Sequence, residues 1–151
     1  MMEYLDRLIE TCNKAKTTSS IAEFKVTSFD DIPDIERGIY IIQEIGGNSD
    51  FTYQSFVDFK QKKLKACSRV NAPSSVLYVG SSTTGLKKRL KQHLISCPDK
   101  TYSLHMYAWF EGAYEVRILQ YDAPSEIIQL IEDGISFELS PAFGKQGGNN
   151  K

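Results

Sequence analysis

The chain has 151 residues, of which 41% are hydrophobic and 25% are charged, and this composition predicts one compact domain with a single core. No segment has the roughly 20 apolar residues that a membrane span needs, and the first residues do not resemble a cleavable signal. We therefore expect a cytoplasmic protein with no membrane partner. Cys12, Cys67 and Cys97 lie far apart in the sequence, which argues against a disulfide framework or a cysteine zinc site.

Positive charge is concentrated in the middle of the chain, although the net charge is only −1. Residues 37–93 contain ten Lys or Arg and three Asp or Glu, whereas the residues on either side are mainly acidic. A local basic surface attracts a polyanion even when the whole protein is weakly acidic. The basic block therefore predicts phosphate contacts, and the alternative is a solvated helix face.

The first half of the chain alternates between helical and strand patterns. Apolar spacing over residues 2–15 predicts an amphipathic helix with one buried stripe. After a polar stretch, a short β-branched run predicts a buried strand that begins at Gly38 and ends before Gly46. Residues 52–69 return to helical spacing, with lysines opposite the apolar positions.

The second half predicts two helices and up to three strands. A strand over residues 75–80 is followed by a helix over residues 86–94, whose leucines share one face. Aromatic and β-branched residues over 102–110 and 114–121 predict a hairpin, and a final helix runs over residues 124–138. Together these patterns predict an α+β domain with a small, mainly antiparallel sheet of three or four strands flanked by helices.

Two tripeptides, Gly38-Ile39-Tyr40 and Tyr78-Val79-Gly80, lie at predicted strands. The basic helix after the second strand carries Arg89, eleven residues beyond Tyr78, and the last helix carries Glu132. This order of strand, strand, Arg-bearing helix, strand and Glu-bearing helix resembles the GIY-YIG nucleases. The resemblance implies the GIY-YIG fold, with residues 1–36 as an N-terminal helical extension and residues 37–151 as the nuclease domain.

The resemblance implies a divalent-metal-dependent endonuclease that acts on DNA, with RNA as the alternative substrate. Such hydrolysis needs an activated water and a cation that offsets charge on the phosphoryl oxygens. Glu132 resembles the family's metal-holding carboxylate, and a single carboxylate suits Mg²⁺, for which Mn²⁺ substitutes. Tyr40 resembles the tyrosine that activates or orients the attacking water, provided that nearby positive charge lowers its pKa. Tyr78 would hydrogen-bond the water or the phosphate.

Arg89 and His93 are expected to lie on one face of the basic helix because they are four residues apart. The planar guanidinium of Arg89 matches two phosphoryl oxygens, so it suits a phosphate clamp. His93 can share the phosphate or relay a proton, and its alternative is an exposed helical histidine. Further DNA contacts are predicted for the basic residues Lys62, Lys63, Lys87, Lys88 and Lys91.

Two features depart from the family pattern, and one assigned residue has a rival. The two tripeptides are separated by a basic helical insertion at residues 51–70, which either contacts DNA or covers the sheet edge. Gly144 stands where an Asn often follows the Glu-bearing helix, so Asn149 is the better candidate, with Asn150 or a frayed terminus as alternatives. Glu138 is the rival to Glu132 as the metal ligand.

Two other functions remain open from the sequence alone. A catalytically degenerate nucleic-acid-binding module would keep the fold and the basic surface, although the joint presence of two Tyr, an Arg and a Glu favours an enzyme. A structural or regulatory protein with coincidental tripeptides is the third reading. The roles that the resemblance implies are restriction-like, repair or mobile-element associated, and a small self-contained domain best fits a restriction-like or mobile-element nuclease. Cutting two strands calls for two active sites, so a homodimer on DNA is a further hypothesis.

Overall fold

A computed structural model describes residues 2–145 of the chain. No helix in this range has the length and apolar character that crossing a membrane requires. Two short 3₁₀ turns lie at Phe29–Asp31 and Met106–Ala108. The longer elements within the described range, in chain order, are α1 Glu3–Thr17, β1 Ala22–Val26, β2 Gly38–Ile45, α2 Ser49–Gln61, β3 Val76–Ser82, α3 Leu86–Leu94, β4 Ala113–Gln120 and α4 Ser125–Leu139.

The four strands form one sheet in the order β1-β4-β2-β3, and all neighbouring strands are antiparallel. The predicted α+β class and the small antiparallel sheet are therefore confirmed. β2 and β3 pair directly, and Tyr40 lies opposite Gly80 in their register. The two tripeptides identified in the sequence thus lie on adjacent strands, the second of which is the edge strand β3.

The sheet is buried on both faces, which explains why β2 is an almost continuous apolar run. Tyr40 and Ile42 contribute to the larger core, together with residues of α2 and α3 such as Phe56 and Leu90. Ile39 and Ile41 belong to a second apolar cluster, which includes residues of α4. As predicted, the leucines of α3 are buried; they are Leu86, Leu90 and Leu94.

Two parts of the predicted sheet were wrong. β1 lies in the stretch interpreted as polar, and it pairs with β4 as an edge strand whose residues alternate in exposure. The strand predicted over residues 102–110 does not form, and the chain instead makes the 3₁₀ turn at Met106–Ala108. His105 immediately precedes that turn with a left-handed φ of 48°, which a continuous strand cannot accommodate.

The buried stripe predicted for α1 was also wrong. No residue of α1 is buried, and Leu5, Leu8 and Ile9 are 47%, 43% and 59% exposed. α1 lies against α4, and Thr11 and the start of α4 line the same pocket. The amphipathic pattern therefore forms the predicted helix, but its apolar residues are not buried.

Candidate active site

Three rings from separate elements meet at the edge of the sheet. Tyr40 of β2 and Tyr78 of β3 are stacked, with ring centroids 6.2 Å apart and an interplanar angle of 9°. His93 of α3 packs against Tyr78, with ring centroids 4.3 Å apart. Its Nε2 lies 3.1 Å from the Tyr40 hydroxyl oxygen. The strand pairing and the buried face of α3 therefore bring three of the predicted site residues into contact.

Gly80 allows the Tyr40 ring to take this position. The two residues face each other across the β2–β3 pair. A Cβ atom added at Gly80 would lie only 2.6 Å from Tyr40 Cζ and closer still to the hydroxyl oxygen. This close approach thus requires glycine, which explains on steric grounds why the second tripeptide ends in Gly80.

The hydrogen bonds of His93 fix the position of its proton. The Leu104 backbone N–H donates to His93 Nδ1 at 3.1 Å, so Nδ1 carries a lone pair. In the neutral ring the hydrogen is then on Nε2, which donates to the Tyr40 oxygen. Burial, reinforced by the positive charge of Arg89, lowers the pKa of His93 well below its usual value, so the ring is neutral at pH 7. The exposed-histidine alternative is wrong, since His93 is completely buried.

Tyr40 is a neutral, enclosed phenol in this arrangement. Burial, reinforced by Tyr78, raises the pKa of Tyr40 well above its usual value, and the lowering effect of Arg89 does not offset this. The condition stated from the sequence, a pKa lowered by positive charge, is therefore not met here. Tyr40 is 1% exposed, whereas the partly buried Tyr78 lines an open groove. Tyr78 is the phenol of the pair that borders this groove.

Arg89 lies beside both phenols and keeps its positive charge. Burial lowers the pKa of Arg89, but the neighbouring Tyr40 and Tyr78 outweigh this effect and raise it overall. Its guanidinium donates from Nη1 to Gln92 Oε1 at 2.5 Å and from Nη2 to the Tyr102 carbonyl at 3.1 Å. These uncharged acceptors orient the guanidinium without neutralising it.

Glu132 reaches the site from α4 as a buried carboxylate, with 3% of the residue exposed. Its Oε1 accepts a hydrogen bond from Ser81 Oγ at 2.5 Å, and its Oε2 lies 2.9 Å from Lys145 Nζ. The latter contact is an ion pair rather than a well-aligned hydrogen bond. Burial lowers the pKa of Lys145, but Glu132 and Asp133 outweigh it and raise the pKa overall. The rival carboxylate, Glu138, is exposed on the same helix.

An open groove of about 720 Å³ runs along the outer side of Tyr78 and Arg89. Among the described residues that line it, four are cationic and none is acidic, so it can attract an anionic ligand. The insertion contributes Lys60 and Arg69, and the C-terminal segment contributes Lys145. The full lining consists of Lys60, Cys67, Ser68, Arg69, Tyr78, Arg89, Tyr102, Gly144 and Lys145.

Gly144 is held against Tyr78 and could not be an asparagine in this arrangement. Its φ is 86°, and an added Cβ would lie 2.6 Å from Tyr78 Cε2. Its N–H donates to the Arg69 carbonyl at 2.7 Å, and Asn71 Nδ2 donates to its carbonyl at 2.8 Å. The insertion and the C-terminal segment are therefore bound to each other beside the groove.

Sequence reasoning missed several of these contacts. Ser81 directly follows the second tripeptide, and the alternation of β3 places it on the side opposite Gly80, which was a usable signal. Lys145 had no such signal, because its approach to Glu132 depends on how the chain returns after α4. Lys60 and Arg69 belonged to the predicted basic insertion but were not singled out within it.

The other predicted residues lie elsewhere. Asn149 and its alternative Asn150 fall outside the described residues. Five predicted DNA-contacting lysines do not line the groove; Lys87 instead places its ammonium 5.3 Å from the Phe29 ring centroid. Lys88 and Lys91 are exposed on α3, and Lys62 and Lys63 are exposed after the end of α2.

A metal ion at this site would have few protein ligands. Within residues 2–145, no three His, Cys, Asp or Glu side chains are grouped closely enough to hold a metal ion. One carboxylate with several waters is nevertheless a common Mg²⁺ arrangement, and Glu132 fits it if Lys145 gives way. Comparisons of the chain with models of protein families, with curated proteins and with solved structures find no match.

Proposed function

We propose that the protein is an endonuclease of the GIY-YIG type and fold, which hydrolyses DNA phosphodiester bonds with Mg²⁺ or Mn²⁺. The observation that carries this proposal is that the predicted residues lie close together in the fold. Tyr40 and Tyr78 from adjacent strands meet Arg89 and His93 from α3 beside β3. Glu132 from α4 is linked to the same part of the sheet through Ser81 of β3 and through Lys145, which lines the groove. The site residues adjoin this groove, which is lined by cations and so suits a phosphodiester substrate.

Each protein group has a role that its geometry supports. Arg89 faces the groove with its charge intact and binds the scissile phosphate through two N–H groups. Tyr78 donates a hydrogen bond to a phosphoryl oxygen. His93 Nε2–H donates to one lone pair of the Tyr40 oxygen, and the other lone pair accepts a hydrogen bond from the attacking water and orients it. Tyr40 thus positions the water, because its raised pKa keeps it protonated.

Glu132 is the residue that would hold the metal ion through its carboxylate. When bound there, the cation offsets the charge that develops on the leaving oxygen. Ser81 holds one carboxylate oxygen and so fixes the direction in which the other oxygen points. This is the role expected of a partner that orients a metal ligand.

The groove would also contact the phosphates of the nucleic-acid strand on either side of the scissile bond. Lys60 and Arg69 lie in the groove lining with Arg89, so the insertion adds phosphate contacts to the site. A homodimer on DNA remains part of the proposal, because one such groove serves one strand. Measuring the mass of the protein with and without a DNA duplex tests it, and a strictly monomeric complex would contradict it.

A nucleic-acid-binding module is the second candidate, and one observation favours it. The Glu132 charge is paired with Lys145 and Tyr40 is neutral and enclosed, so the described arrangement is closer to a binding state than to a reacting one. Its basic groove would still bind a phosphate backbone.

Plasmid cleavage distinguishes the two candidates. Wild-type protein is incubated with supercoiled DNA and Mg²⁺, Mn²⁺ or EDTA, beside Glu132→Ala and the matched variant Glu138→Ala. We expect nicking or linearisation by the wild type and Glu138→Ala only, and none with EDTA. DNA that is bound but never cut would favour the binding module, and cleavage of a labelled RNA alone would correct the substrate.

A further inference from the structure

The C-terminal segment, residues 140–145, places Lys145 beside Glu132. After α4, the chain turns at Ser140, whose φ is 48°, and then runs beside β3. The Ala142 and Phe143 N–H groups donate to the Val76 and Leu77 carbonyls at 2.8 and 3.0 Å. Gly144 makes the second turn against Tyr78, and Lys145 follows it. Backbone hydrogen bonds therefore hold the residues just before Lys145 in place, and its side chain extends from there to Glu132.

The ammonium of Lys145 occupies the open side of the carboxylate. Ser81 already contacts Glu132 Oε1, and Lys145 Nζ lies 2.9 Å from Oε2 and 3.6 Å from Asp133 Oδ1. A Mg²⁺ ion bound to Oε2 would stand about 2.1 Å from the same oxygen. Two cations that share one carboxylate oxygen would be only a few ångströms apart and would repel each other strongly.

We propose that Lys145 is an intramolecular competitor of the metal ion for Glu132. In the metal-free protein its ammonium neutralises the buried carboxylate, and it must move away before Mg²⁺ or Mn²⁺ binds there. The inference rests on the proposed function, because it takes Glu132 as the metal ligand. The groove offers the displaced ammonium a new partner, since Lys145 already lines it and a bound strand would bring phosphates to it.

Direct Mn²⁺ binding without DNA tests this competition. Isothermal titration calorimetry and the electron paramagnetic resonance of free Mn²⁺ measure the affinity of the wild type and three variants. Lys145→Met removes the charge and keeps the length of the side chain, whereas Lys145→Arg keeps the charge. Lys91→Met is the matched control, because Lys91 is exposed on α3 and does not line the groove.

We expect Lys145→Met to bind Mn²⁺ more tightly than the wild type by about 5-fold to 150-fold, the usual range for coupled sites. Lys145→Arg and Lys91→Met should keep the wild-type affinity. Thermal unfolding provides an independent readout. Without metal, Lys145→Met should melt below the wild type because a buried carboxylate loses its partner, and Mn²⁺ should raise its Tm more than that of the wild type.

The possible failures can be told apart by adding Glu132→Gln. If Lys145→Met and the wild type bind Mn²⁺ equally, and Glu132→Gln abolishes that binding, competition is wrong while the metal ligand stands. If no protein shows Mn²⁺ binding that depends on Glu132, the competition and the assigned metal ligand both fail. Plasmid cleavage that persists in EDTA would then show that hydrolysis itself does not depend on this metal site.

Discussion

Replacing Gly80 by Ala should destabilise the folded protein at the candidate site. The new Cβ would lie 2.6 Å from Tyr40 Cζ, well inside ordinary van der Waals contact. The ring has little room to retreat, because Tyr40 is 1% exposed, stacked on Tyr78 and hydrogen-bonded to His93. Overpacking of this kind costs about 1 to 3 kcal/mol, and a lost buried hydrogen bond about 1 kcal/mol more. We therefore expect a loss of about 2 to 4 kcal/mol in the free energy of unfolding.

Urea denaturation followed by circular dichroism measures this loss. The matched control is Gly134→Ala, because Gly134 lies within α4 and an added Cβ there meets nothing within 4 Å. Alanine is favoured over glycine in a helix by about 0.5 to 1 kcal/mol, so the control should be stabilised. If Gly80→Ala were as stable as the wild type, the close seating of Tyr40 against Gly80 would be refuted.

Two further predictions concern acid stability and salt. Below pH 6.5, the unfolded chain binds a proton on His93 that the folded protein excludes, so stability falls as pH falls. Urea denaturation at several pH values should show that His93→Gln loses less stability on acidification than the wild type. An equal loss in both proteins would contradict this prediction. His105 adds a smaller loss of the same sign, which both proteins share. Lys60→Gln and Arg69→Gln should each reduce the slope of log DNA affinity against log salt by about one unit. Lys62→Gln is the control, and equal slopes in all three variants would remove the groove from the DNA interface.

Strong local periodicity is what made part of the fold predictable. α3 spans Leu86–Leu94 as expected, because its leucines recur at helical spacing and a glycine precedes them. β2 and β3 were also predicted, since short β-branched runs between turn residues have few other stable outcomes. Their direct pairing was not predicted and is a finding of the structure.

The errors arose where tertiary contacts decide the outcome. β1 has only five residues, two of them charged, and it becomes a strand by pairing with β4 almost a hundred residues later. The aromatic run after Tyr102 has strand composition, yet His105 takes a left-handed conformation and hydrogen-bonds the Ala66 carbonyl at 2.7 Å. Neither β4, the partner of β1, nor Ala66, the partner of His105, can be recognised from a local sequence pattern.

The candidate site was also predictable only in part. Its main residues were chosen because their types and order resemble the GIY-YIG pattern, and the proposed hydrolysis would use a guanidinium, a carboxylate and hydroxyl groups. Their states could not be chosen in this way. The pKa of Tyr40 depends on the balance between burial and the charge of Arg89, and the sequence shows only that a positive charge is present. The pairing of Glu132 with Lys145 depends on the path of the chain after α4.

The distribution of charge in the site explains why Arg89 is the group best prepared to meet a phosphate. Among the described residues, no carboxylate lies within ion-pair distance of Arg89, and its named acceptors are an amide and a backbone carbonyl. Lys145, by contrast, is already paired with Glu132. Under the proposed function, an arriving phosphate would meet the charge of Arg89 first. It would then attract the Lys145 ammonium, which would release the Glu132 carboxylate.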